Sequence, residues 1–188
     1  MANPSPALLL HVCCAPCASA CIERLFEDKK IPVLYYSNSN IATEEEYEKR
    51  LVCVRQLAEY HDLRLIVDPY DHAAWRKHVS RQTGWESCPE GGKRCALCFE
   101  WSLSRTAAEA ERLGMGFCTS LTVSPHKNSK MIFDIGGSWK HFEYYDFKKK
   151  DGFKRSIELS RRFGFYRQSF CGCEFSMHCR TEAASPRF

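Results

Sequence analysis

Short apolar runs alternate with amphipathic stretches along most of the chain. Ala7–Val12 is a short apolar run that reads as a buried strand and ends directly in a cysteine cluster. From Cys17 to Glu27 the apolar positions Cys21, Ile22, Leu25 and Phe26 recur at helical spacing, so a strand–turn–helix unit opens the chain. Ile31–Tyr36 predicts a second strand, closed by the turn-forming Ser37-Asn38-Ser39-Asn40. Thr43 followed three residues later by Glu46 is a capping box, opening a helix to about Tyr60. Leu63–Val67 predicts a third strand, stopped by Pro69, and Ala73–Arg81 a short helix.

Beyond a glycine- and proline-bearing loop from Gly84 to Lys93, Cys95–Leu113 has the pattern of a long helix stopped by Gly114. Phe117–Val123 reads as a strand, Asn128–Ile135 as a helix, Phe142–Asp146 as a last strand, and about Lys154 to Phe163 as a last helix. The tail after Cys179, residues 180–188, is expected to be disordered, with a core from about 8 to 176. Strands alternating with helices predict the α/β class: a single-domain parallel sheet, Rossmann-like and HUP-like, with helices on both faces. No internal repeat or linker divides residues 1–188. In such sheets ligands bind beyond the carboxyl ends of the strands. The first cysteine cluster, the Ser37–Asn40 turn, Ser124–Lys127 and Asp146–Lys150 all follow strands, and should converge on one crevice holding a metal centre.

Composition changes this picture at one point. Hydrophobic residues are 44% and charged residues 27%, ordinary globular values. No apolar run approaches the ~20 residues that span a membrane, and the N-terminal run lacks the marks of a signal peptide, so a cytoplasmic location is expected. Twelve cysteines in 188 residues are many for such a protein. In a reducing compartment dense thiols point to metal binding or catalysis; only export would favour a disulfide framework.

The thiols fall in clusters. Cys14 and Cys17 are a CxxC at a strand-to-helix turn, with Cys13 adjacent, and a helix N-terminus favours the thiolate that metals need. Cys95 and Cys98 are a second CxxC at a helix start, and Cys171-Gly172-Cys173 brings two sulfurs close across a flexible backbone. Seven thiols exceed one tetrahedral site, so two adjacent centres, or one centre plus a redox-active pair, are expected. Cys21, Cys53 and Cys118 read as small buried hydrophobes, and Cys88 and Cys179 are unassigned. His11, alone inside a strand, fits a hydrogen-bonded core residue better than a ligand. Asp146 suits a ligand, a proton donor or a helix cap.

Net charge is only +4, yet Lys148, Lys149, Lys150, Lys154, Arg155, Arg161, Arg162 and Arg167 cluster. This suits a nucleic-acid backbone or a solvated helix face equally.

Several motifs together resemble one family. They are His11-Val12-Cys13-Cys14-Ala15-Pro16-Cys17, Tyr36-Ser37-Asn38-Ser39-Asn40-Ile41, Pro89-Glu90-Gly91-Gly92-Lys93-Arg94-Cys95 through Cys98-Phe99, and Ser124-Pro125-His126-Lys127. Asp146-Phe147-Lys148-Lys149 with Gly152-Phe153, and Tyr166-Arg167-Gln168-Ser169-Phe170-Cys171-Gly172-Cys173, complete the series. From about Leu8 to Ser176 the chain resembles the cobalamin-independent epoxyqueuosine reductases, the QueH family. It departs at Ser39, where the family commonly has proline, and at Thr119-Ser120-Leu121-Thr122, where the family has a threonine-rich run.

The resemblance implies reductive removal of the epoxide oxygen from epoxyqueuosine at the tRNA wobble position, with a [4Fe-4S] cluster and a neighbouring mononuclear iron. Its ligand pool is Cys13, Cys14, Cys17, Cys95, Cys98, Cys171 and Cys173, undivided between the two centres. Asp146, ahead of His11 and Tyr36, is the expected proton source. Lys127, Lys148, Lys149 and Arg167 are expected on the anticodon-stem phosphates, and Asn38, Asn40, Ser124 and Gln168 on the substrate. The implied partners are tRNA bearing epoxyqueuosine and an external ferredoxin- or flavodoxin-like electron donor, with no membrane. Rivals are a zinc-binding RNA module, a thiol–disulfide oxidoreductase cycling Cys14 and Cys17, and a cluster-dependent sulfur-transfer enzyme. The last usually carries a glycine-rich phosphate loop where this chain has cysteines.

Overall fold

The computed structural model describes residues 7–177. Strands β1 (Leu8–His11), β2 (Pro32–Tyr36), β3 (Leu65–Val67) and β4 (Gly116–Thr119) form one parallel sheet in the order β3-β2-β1-β4. Around it lie α1 (Ala15–Glu27), α2 (Glu44–Tyr60), α3 (His72–Val79), α4 (Lys93–Leu113), α5 (Ser129–Gly136) and α6 (Gly152–Arg162). The expected α/β class is what is found.

Alternation along the strands divides the core in two. Leu8 and Leu10 join Leu34, Tyr36 and Cys118 against residues of α1, α2 and α6. Leu9 joins Tyr35 and Phe117 against Phe99 and Leu103 of α4 and Ile132 of α5. Both faces of β1 are therefore apolar, as burial between two helical layers requires. Cys21, Cys53 and Cys118 are buried in the first of these clusters, as small hydrophobes should be.

Local chemistry sets the helix limits. Thr43 accepts from the backbone N–H of Glu46 at 3.3 Å, completing half of the capping box. The Glu46 carboxylate is engaged elsewhere, by Arg50 and Tyr166. Asn128 caps α5 by accepting from Met131 N, and Gly114 ends α4 in the left-handed conformation that glycine adopts without steric cost.

Two expectations are corrected. Phe117–Val123 is extended only to Thr119; Ser120–Val123 is a turn of 3-10 helix, because Thr119 Oγ1 accepts from Leu121 N at 3.1 Å and curls the backbone. Phe142–Asp146 is not a strand. It touches β4 through one bridge, Phe117 to Phe142, and then turns away as the Thr122 hydroxyl donates to the Tyr145 carbonyl at 2.7 Å. Cys179 and residues 180–188, including the expected tail, lie outside the described residues.

The chain runs β1, β2, β3 outward and then returns to the opposite side of β1 for β4. This reversal opens a crevice between the carboxyl ends of β1 and β4, the place where open α/β sheets bind ligands. No helix among the described residues is long and apolar enough to cross a membrane.

Candidate metal centre and substrate crevice

The end of β1 feeds the first thiol group. Cys14 is the extended N-cap of α1 (φ −169°), and Pro16 in the first turn gives up an N–H that has no helical partner anyway. Cys13, Cys14 and Cys17 thereby aim their sulfurs at one point, all within 4.8 Å of one another. Ser120, from the turn after β4, accepts from Cys13 N at 3.1 Å and donates to Cys13 Sγ at 3.4 Å. Hydrogen bonds from Cys13 and Cys17 hold the Cys14 thiol well below its ordinary range. The same contact with Cys14 pushes Cys13 up to about 12, and bonds to both neighbours push Cys17 up. The first thiolate formed thus makes the next two harder to form, and a cation relieves that conflict.

A second thiol group lies beside the first. Cys95 and Cys98 in the opening turns of α4, with Cys171 and Cys173 of the C-terminal segment, line a small cavity of about 30 Å³. Burial raises Cys95, Cys98 and Cys173, and at Cys98 the sulfurs of Cys171, Cys173 and Cys95 add to the rise. Trp75 lines the same cavity; its buried indole N–H has no hydrogen-bond partner of ordinary geometry among the described residues. Four soft thiols around one cavity suit a thiophilic metal or an iron–sulfur cluster. Cys88 is adjacent in sequence yet serves locally, its sulfur accepting from Arg94 N at 3.5 Å where α4 begins.

The two groups share a larger crevice of about 470 Å³, onto which His11, Cys13, Cys17, Asn38, Asn40, Ser124, Lys127, Arg167, Gln168 and Cys171 all open. His11 is buried and doubly bonded: Nε2 to the Ser37 carbonyl at 3.1 Å, Nδ1 to Thr119 Oγ1 at 2.9 Å. A carbonyl only accepts, so Nε2 carries the proton and the neutral ring accepts from Thr119. Burial lowers its pKa to about 4, which keeps it neutral. Asn38 spends its amide N–H on the Val12 carbonyl at 2.8 Å.

Lys127 is placed differently from its expected phosphate contact. Its ammonium donates to Cys171 Sγ at 3.1 Å and lies 5.7 Å from the Phe99 ring centre. Lys148 is also drawn inward, donating to the Lys127 carbonyl and to Ser129 Oγ. Asp146 accepts from Lys148 N at 3.3 Å and from Ser129 Oγ at 3.5 Å, so it braces the turn that presents Lys127. Tyr36 lies in the core, its hydroxyl donating to the Tyr47 carbonyl at 3.1 Å. Asp146, Tyr36, Lys148 and Lys149 are not among the crevice-lining residues; Lys149 is exposed.

Sequence reasoning missed Arg50, Glu90, Phe99, His126, Phe153 and Phe170, which also line the crevice. Arg50 reads as an ordinary i,i+4 helix pair with Glu46, and nothing local signals that α2 turns this pair inward.

These features define a parallel α/β protein whose strand-end crevice carries a thiol group compatible with a metal centre. The family model described as epoxyqueuosine reductase QueH matches residues 8–179. Among proteins named epoxyqueuosine reductase QueH, that of Streptococcus pyogenes serotype M1 is 38% identical over 180 residues, 91% of this chain and 70% of its own length. That of Thermotoga maritima is 35% identical over 181 residues, 93% of this chain and 92% of its own. That of Dehalococcoides mccartyi is 32% identical over 183 residues, covering 94% and 95%. The chain belongs to the epoxyqueuosine reductase QueH family, and it is an oxidoreductase.

Proposed function

We propose that the chain, acting as one domain in the reducing cytoplasm, converts epoxyqueuosine at tRNA position 34 into queuosine. The observation that carries this reading is the meeting of two thiol groups across one crevice in a chain of this family. Opening the epoxide and expelling its oxygen as water takes two electrons and two protons and leaves an alkene. An external one-electron donor of the ferredoxin or flavodoxin class supplies the electrons, in two turns.

The four-thiol group of Cys95, Cys98, Cys171 and Cys173 suits a [4Fe-4S] cluster, whose usual ligands are four cysteines. The three-thiol group of Cys13, Cys14 and Cys17 would suit a mononuclear iron, three protein ligands being the usual number at a catalytic metal. Bound there, iron supplies Lewis-acid polarisation of the C–O bond and one-electron transfer. The protein's own residues do the remaining work. Phe99, Phe153 and Phe170 offer apolar walls for a flat base, while Asn40, Ser124, Gln168 and the Glu90 carboxylate offer polar contacts along its edge. His11, neutral with both nitrogens spent, holds the β1 and β2 ends together rather than moving a proton. Exposed Arg167 and Lys149 are the contacts for phosphate, a role that Lys127 and Lys148 are too occupied to fill.

Anaerobically purified protein should be brown and carry more than about four irons per chain, the content of one cubane cluster. With a chemical reductant and epoxyqueuosine-bearing tRNA, nucleoside mass analysis should show the loss of one oxygen. Cys95→Ser should remove the cluster spectrum, whereas Cys13→Ser should keep it and lose turnover. A colourless, zinc-only protein that leaves the nucleoside unchanged would overturn the reading in favour of a zinc-binding RNA module.

A further inference from the structure

The Cys171-Gly172-Cys173 segment has no strand or helix of its own, yet two of the proposed ligands stand on it. We propose that Arg50, together with Glu46 and Tyr166, is the positioning device that sets this segment against the crevice. The proposal rests on the reductase reading for what Cys171 and Cys173 do there.

Arg50 projects from the middle of α2 and is only 3% exposed. Its Nη1 donates to the Cys171 carbonyl at 2.9 Å, and its Nε donates to Glu46 Oε1 at 2.7 Å. The other carboxylate oxygen of Glu46 accepts from the Tyr166 hydroxyl at 2.9 Å. The guanidinium also lies 5.3 Å from the centre of the Phe170 ring. At the next residue the backbone N–H of Ala42, just before α2, donates to the Gly172 carbonyl at 3.0 Å. One helix thus grips the segment at Tyr166, Phe170 and Cys171, with Ala42 adding a fourth hold at Gly172.

Stability does not explain this arrangement. A buried ion pair contributes little compared with apolar packing of the same volume, and a buried guanidinium is costly unless fully paired. What a planar, forked donor does supply is direction, since it fixes its acceptors in one plane. Gly172 fits the same account. It sits at φ +133°, and a Cβ there would come 3.2 Å from Arg50 Nη1 and 3.2 Å from Ile41 Cγ1. A side chain there would press on the guanidinium, and the positive φ disfavours any residue but glycine. Arg50 lines the crevice, but its Nε and Nη1 donate to Glu46 and to the Cys171 carbonyl and its Nη2 sits 2.6 Å from Glu46 Oε1, so it acts through the cysteines and is not a catalytic residue.

The test reads the thiols directly, in metal-free, reduced, full-length protein kept anaerobic. Alkylation by iodoacetamide is followed at each cysteine by mass spectrometry in wild type, Arg50→Gln, Arg50→Lys and Tyr166→Phe, with far-UV circular dichroism as a control. In Arg50→Gln, Cys171 and Cys173 should react about tenfold faster, the effect expected from losing one hydrogen bond to a charged group. Cys13 and Cys17 should keep their rates. Arg50→Lys, which restores charge without the fork, should recover part of the protection, and Tyr166→Phe should move the same two thiols by a smaller factor. If Arg50→Gln does not fold, Tyr166→Phe decides alone. Unchanged rates at Cys171 and Cys173, or an equal rise at every cysteine, would overturn the proposal. Selective deprotection in a protein whose wild type binds no iron would support the clamp while refuting the reductase reading, so the two fail separately.

Discussion

At the scale of single residues, burial converts ordinary side chains into fixed parts. His11 is the clearest case, a histidine held neutral between Ser37 and Thr119. Burial takes its pKa from 6.5 down to about 4; the Ser37 carbonyl and Asp68 oppose the fall and Lys127 adds to it. The unfolded chain therefore binds a proton below about 6.5 that the folded chain refuses until about 4. Stability is full above the upper value, declines as pH falls through the window, and levels off below the lower one. For the metal-free protein the loss between pH 6.5 and 5 should be about 2 kcal/mol, measured by urea unfolding. His11→Asn should flatten that limb, and an unchanged slope would remove His11 as its source.

At the scale of elements, polar side chains decide how strands and helices meet. Asp68, just past β3, accepts from Arg105 of α4 through both oxygens and from Ser37 Oγ at 2.8 Å. Burial opposes its ionisation, but Arg105, Ser37 and Tyr35 outweigh it and hold the carboxyl below its usual range. That contribution is present above the unfolded carboxylate pKa and disappears in acid. Asp68→Asn should cost about 1.5–3 kcal/mol at neutral pH, the range for a hydrogen bond to a charged partner, and less near pH 3. Thermal melts at the two pH values check this; equal losses at both would mean the charge is immaterial. The turn between β4 and α5 follows the same logic. Asp146, at the end of the stretch whose pattern predicts a strand, and Lys148 just beyond it brace this turn through Ser129 and the Lys127 carbonyl.

At the scale of the whole molecule, the net charge is a modest +4, and the proposed tRNA substrate would have to be met by a few exposed cations. The fold separates the basic side chains into exposed and occupied ones. Lys127 and Lys148 face inward, and Arg155 pairs with Glu23 and Glu158, while Lys149, Lys154 and Arg167 are exposed. Replacing Arg167 or Lys149 with Ala should weaken tRNA binding and reduce the slope of log affinity against log salt by about 1 each. Arg155→Ala should leave the slope unchanged. A slope altered by Arg155 and not by Arg167 would relocate the nucleic-acid face.

The sequence by itself determined the alternation of strands and helices, and so the parallel α/β class, because apolar period and capping residues are local properties. It also determined the seven thiols, since cysteine spacing and family motifs are written in the chain. Only the tertiary structure decided how those thiols divide, with Cys13, Cys14 and Cys17 on one side and Cys95, Cys98, Cys171 and Cys173 around another cavity. Sequence distance carries no information about which strand end faces which loop. The same reason hid Arg50, whose partner Glu46 is four residues away while its working contact at Cys171 is 121 residues away. Nor does the sequence show that the Lys127 ammonium lies 3.1 Å from the Cys171 sulfur. Whether a charged side chain meets solvent or another buried group depends on how helices pack across the sheet, and that is settled only when the chain closes on itself.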